Sequence, residues 1–209
     1  MAAGTTDHAL ERLVFFSDAV FAIAITLLII EIHPPHFPRG TDDLIHVQAL
    51  ANLVPNFVGY VISFTVIGFF WMGHHRAFAL AAHYHPRILG WNMALLGTIA
   101  FMPFATAYLS SNFFQRVPTI TYCAVMLLAA LFNLKVNRTA TSAPMVDEKA
   151  SPQDILYVRL RALGVILGAA TAVALSFVVP EAGQAGLITI PIWRRVLVAR
   201  AERRAAGQA

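Results

Sequence analysis

The residues able to do chemistry are few and fall into two clusters. The first is Arg12-Leu-Val-Phe-Phe16-Ser17-Asp18, in which a basic residue, an aromatic pair and a Ser-Asp step head a long apolar run. The second is Trp71-Met-Gly-His74-His75-Arg76, with His83-Tyr-His85 a short way beyond it. A carboxylate and imidazoles within a membrane can form a proton relay, and neighbouring histidines are potential metal ligands. Spacing argues against a metal: adjacent histidines diverge by about 100° on a helix, and no helical histidine four residues on completes a chelate. Relays normally string several ionisable groups together, whereas Asp18 is the one acid inside an apolar span and away from its ends. Ser17 and Asp18 are therefore read first as a buried hydrogen-bond cluster. The competing reading is a proton- or cation-coupled secondary transporter in which Asp18 and His74 titrate. The single cysteine, Cys123, lies in an apolar run and offers neither a disulfide framework nor a thiolate metal site. With no nucleophile and base set and no HExxH spacing, neither an enzyme nor a bound cofactor is expected.

The elements that must carry these groups are membrane helices. The 209 residues are 58% hydrophobic and only 12% charged, against about 25% charged in soluble domains. The basic residues sit in short segments between apolar runs, so the net charge of +4 does not point to nucleic acid. An all-α integral membrane protein follows, a single domain over 1–209 with six spans at about 13–32, 47–72, 87–109, 118–134, 155–179 and 182–198. The first is about 30 Å long as a helix, the thickness of the hydrocarbon layer. A proline-rich stretch from His33 to Pro38 ends it. Thr41-Asp42-Asp43 reads as a capped helix start, with the hydroxyl as the cap. Pro55 is expected to kink the second span. The sixth is short for a crossing, because Arg194-Arg195 follows soon after Ala182.

Counting lysines and arginines on alternate sides of this layout puts thirteen of the 15 on the side of the two termini, with only Arg39 and Arg116 opposite. By the positive-inside rule both termini are cytoplasmic. The sequon at Asn137-Arg138-Thr139 then lies inside the cell and reads as a chance match.

Projecting the first span at about 100° per residue from Ile23 gathers Phe16, Ala19, Thr26, Leu27 and Ile30 within about 60° of it. Ser17 and Asp18 fall well outside that arc. The helix thus has one aliphatic face carrying a single hydroxyl and, turned away from it, a polar pair. Lipid contact or ordinary helix packing is the plain reading of the aliphatic face. The polar pair needs partners from another helix, and the Trp71, His74 and His75 end of the second span lies at the right membrane level, with N–H groups to offer.

Arg12-x-x-x-Phe16-Ser17-Asp18 followed by Ala-Val-Phe-Ala-Ile-Ala-Ile-Thr-Leu-Leu resembles the signature first helix of the transmembrane protein 175 family of potassium channels, in its prokaryotic form. The likeness extends to Trp71-x-x-His74-His75-Arg76 and to the six-span layout. It implies a homotetramer in a prokaryotic plasma membrane, with the first helix of each subunit lining a central pathway for potassium ions. The family lacks the Thr-Val-Gly-Tyr-Gly carbonyl filter, as does this sequence. The resemblance implies instead an aliphatic constriction at Ile23, with Thr26 or Leu27 and Ile30 toward the outer side, acting as a hydrophobic gate. Arg12, Phe16, Ser17, Asp18, Trp71, His74 and His75 would form the structural network that holds the helix.

Overall fold

The computed structural model describes residues 3–206, and every regular element among them is helical apart from one isolated bridge between Ala81 and Val146. Helix α1 covers Ala3–Ile30, α2 Asp43–Asn52, α3 Val54–Phe78, α4 Arg87–Ser110, α5 Arg116–Ala140 and α6 Pro152–Val178. A 3₁₀ segment, Pro180–Thr189, then leads into α7, Ile190–Ala206. Five helices are long and apolar enough to cross a membrane: α1, counted from His8, and α3 to α6. The chain is a multi-pass membrane protein.

Helices α4 and α5 form the middle of the bundle. α1 lies against α3 and α4 on one flank, and α6 lies against α5 on the other with the C-terminal segment folded back onto it. Methionine, tyrosine and aliphatic side chains fill the interior, among them Ile67, Leu95, Ile99, Met102, Tyr122 and Met126. Hydroxyls on three helices tie the bundle together: Thr106 donates to the Ser63 oxygen at 2.7 Å, and Ser63 and Tyr122 share a hydrogen bond of 3.0 Å. Gly59 lets α3 approach α4 here, since a Cβ at that position would lie 3.1 Å from Ser110 Cβ.

Four sequence expectations need correction. The expected span 47–72 is two helices, broken at Leu53. Pro55 does not kink a continuous helix; it sits in the first turn of α3, where the missing N–H falls among donors that have no intrahelical partner anyway. The cap of α2 is Asp42, whose Oδ1 accepts from the Leu44 N–H at 3.0 Å, while the Thr41 hydroxyl donates to the Pro38 carbonyl. The expected sixth span, 182–198, is not one α-helix but the 3₁₀ segment and the first part of α7.

That last departure has a physical reason. The ten residues of the 3₁₀ segment rise about 2.0 Å each, and four more α-helical residues at about 1.5 Å bring the rise to about 26 Å before Arg194. The stretch is thereby longer than the same residues would be as an α-helix. It runs antiparallel along the small-residue stripe of α6. A Cβ at Gly186 would lie 2.4 Å from Ala172 Cα, and one at Gly168 would lie 3.2 Å from Ile190 Cα. Backbones meet directly there, which only glycine permits. Helix α5 also runs past its expected end at 134 to Ala140, and Arg159 from α6 finishes it by donating to the Thr141 carbonyl and to the Thr141 and Ser142 hydroxyls. An arginine there satisfies carbonyls that the helix end leaves open.

Candidate functional site

The periodicity of α1 divides it lengthwise. Leu13, Ser17, Phe21, Ala24 and Leu28 are buried against α3 and α4, with Phe21 and Leu28 at 1% exposure. The opposite stripe is bare: Ile23 is 57% exposed, Leu27 40% and Ile30 66%, and Thr26 is exposed between them. Phe16 and Arg12 continue the bare stripe toward the N-terminus. Among the described residues α1 touches only α3 and α4. The Thr26 hydroxyl donates to the Ile23 carbonyl at 2.9 Å, so its proton is engaged and its oxygen lone pairs remain free toward the open side.

The buried stripe is anchored by a chain of polar contacts. Ser17 donates to the Leu13 carbonyl at 2.7 Å, and its oxygen accepts from Nδ2 of Asn92 on α4 at 2.9 Å. Oδ1 of Asn92 lies 2.8 Å from Nε2 of His74 on α3. Asn92 has only an acceptor to offer there, so His74 donates and carries its proton on Nε2. Each of the three side chains is fully buried. The imidazole is also sandwiched by rings, stacked on Phe78 at 4.4 Å and meeting Phe21 edge-on at 5.6 Å. One turn earlier on α3, Trp71 Nε1 donates to Asp18 Oδ1 at 2.8 Å and its indole stacks on His75.

The structure thus brings Ser17, Asp18, Trp71, His74 and His75 to one level, where α1, α3 and α4 meet. Arg12 is not joined to them: its side chain is exposed, and the ion pair recorded among the described residues, His8 with Glu11, does not involve it. Asn92 is the residue that sequence reasoning missed. In the sequence it is one polar residue in an apolar span, and its signal was only that such residues need partners. It turns out to link the two motif clusters, and without it Ser17 and His74 would not be connected. Asn137 of the sequon is buried inside α5, where no glycan could be attached.

The fold and the site define a class: a multi-pass helical membrane protein whose first helix is polar-anchored on one face and unpartnered on the other. A family model described as "Endosomal/lysosomal potassium channel TMEM175" matches residues 12–103, a stretch that includes every member of the anchoring network. A potassium channel of Chamaesiphon minutus is 34% identical over 148 residues, covering 69% of this chain and 72% of that protein. A potassium channel of Streptomyces collinus is 39% identical over 124 residues, 57% of this chain and 59% of its own length. The human endosomal/lysosomal proton channel TMEM175 is 33% identical over 144 residues, but these amount to 28% of that longer protein. The crystal structure of a lysosomal potassium-selective channel TMEM175 homolog from Chamaesiphon minutus superposes with a TM-score of 0.74 at 26% identity, covering 92% of this chain and 98% of that one. The chain belongs to the TMEM175 family, a family of ion channels rather than enzymes.

Proposed function

We propose that this chain is one subunit of a potassium-permeable cation channel, a homotetramer of six-crossing subunits in a prokaryotic plasma membrane with both termini cytoplasmic. The 3₁₀ segment and the start of α7 make the sixth crossing, and the α1 helices surround the pore. The observation that carries this reading is the division of α1: an aliphatic stripe without a partner, backed by a stripe that is fully buried and hydrogen-bonded. Ile23 forms the principal constriction, with Thr26 or Leu27 and Ile30 toward the outside. An apolar neck of this kind gates by dewetting. Discrimination against sodium arises because sodium costs more to dehydrate where ligands are weak, and the lone pairs of Thr26 supply what coordination there is. Ser17, Asp18, Trp71, His74 and Asn92 hold α1 at a fixed rotation, so that the aliphatic stripe points to the axis.

Cysteine accessibility tests the reading. In a Cys123→Ala background, Ile23→Cys, Leu27→Cys and Ile30→Cys channels are expected to lose current to a small charged thiol reagent, and Leu28→Cys channels to be untouched. Block at Leu28→Cys with none at the other three would put the pore on the wrong side of α1.

One observation favours coupled transport through Asp18 and His74: Nδ1 of His74 is buried with no partner, a free site for a proton. That reading requires saturable, pH-coupled flux, whereas a channel gives unitary current steps.

A further inference from the structure

A cleft of about 310 Å³ opens between α3, α5, α6 and α7, with no residue of α1 in its lining. Its polar lining comes from four helices: Arg76 on α3, Asn133 and Asn137 on α5, Arg161 on α6 and Arg194 on α7. No aspartate or glutamate is among the described residues that line it. Three guanidinium groups around one cleft repel each other, and an arrangement without a carboxylate calls for an anion from outside the chain.

The buried atoms call for both kinds of partner: Arg161 Nε is a donor that suits the anion, and the two asparagine oxygens are acceptors that suit hydroxyls on its head. Oδ1 of Asn133, Oδ1 of Asn137 and Nε of Arg161 are each buried and without a hydrogen-bond partner, and both asparagines are more than nine-tenths buried. Such groups are costly when left unsatisfied, and a cluster of them along one cleft marks a ligand position. The Arg161 guanidinium lies over the Tyr157 ring at 4.7 Å, which fixes its plane. The remaining wall is apolar, built from Phe69, Phe70, Val165 and Ile190. Cations at one end and hydrocarbon along the rest match an amphiphile with a negative head.

We propose that this cleft binds an anionic phospholipid, with its phosphate held by Arg76, Arg161 and Arg194 and an acyl chain lying along the apolar wall. Basic pockets between membrane helices suit such headgroups, while a free phosphate leaves the apolar wall without a partner. The occupancy does not depend on ion conduction.

The test is displacement of a fluorescent phosphatidylglycerol from the full-length protein in neutral detergent. Unlabelled phosphatidylglycerol is expected to compete well, phosphatidylcholine at least tenfold less well, and millimolar inorganic phosphate hardly at all. Arg76→Gln, whose side chain is exposed and whose loss should spare folding, is expected to weaken binding about fivefold, and removal of all three arginines to do so about a hundredfold. Arg39→Gln, outside the cleft, should leave binding unchanged. Equal competition by phosphatidylcholine, or wild-type binding by Arg76→Gln and the triple variant, overturns the proposal. Displacement by inorganic phosphate alone overturns it in favour of a free-anion site. Assembled protein that excludes the lipid altogether overturns it in favour of contact between copies of the chain.

Discussion

Leu27 and Leu28 are consecutive residues of the same type in the same helix, yet they occupy different environments. Leu28 is enclosed by α3 and α4, and Leu27 faces outward from the bundle beside Ile23 and Ile30. A membrane helix has no water to flee, so hydrophobicity does not sort its faces; packing and polar contacts do. In α1 the sorting is done by Ser17 and Asp18, which tie one face to Asn92 and Trp71 and thereby leave the other face for a different partner. The inner face serves stability, and the outer face is where permeation is proposed.

The largest effect is expected where the inner face loses its polar anchor. Asn92→Leu leaves both the Ser17 oxygen and the His74 N–H without their buried partner, and a lost partner costs about 1–3 kcal/mol for each group. Thermal unfolding in detergent should shift by an amount equivalent to about 2–4 kcal/mol. Unchanged stability would mean that the chain from Ser17 to His74 does not hold α1. The leucine pair comes next. Leu28→Ala should cost about 2–3 kcal/mol through the cavity it opens, while Leu27→Ala should stay within about 0.5 kcal/mol and instead alter flux. Equal destabilisation by the two substitutions would abolish the distinction between the faces.

Much of this division was legible in the residues themselves. The helical period from Ile23 put Thr26, Leu27 and Ile30 on one face and turned Ser17 and Asp18 away from it, and the same period separates the exposed and buried stripes of the folded chain. Trp71 and His74 were readable as partners because both sit near the end of an apolar span at the level of Asp18. Asn92 was not, because it lies 75 residues from Ser17 and only the packing of α4 against α1 brings them together. The break at Leu53 was obscured by hydropathy that continues on both sides of it. The 3₁₀ stretch was obscured for another reason: an average span length assumes α-helical rise, and the fit of Gly186 against Ala172 shows only once α6 is placed beside it. The arginines of the lateral cleft come from three separate segments; in the sequence Arg161 and Arg194 read as topology signals and Arg76 as the end of the second motif, and nothing there joins them.

Single-channel recording of purified, reconstituted wild-type and Ile23→Ala protein under potassium and sodium gradients bears on the role of the bare stripe without intermediaries. Removing the side-chain carbons beyond Cβ from the narrowest point should raise unitary conductance and lower the preference for potassium over sodium, with the assembled protein unchanged in size. Conductance and ion preference both at wild-type values would mean that Ile23 does not form the neck of the pore.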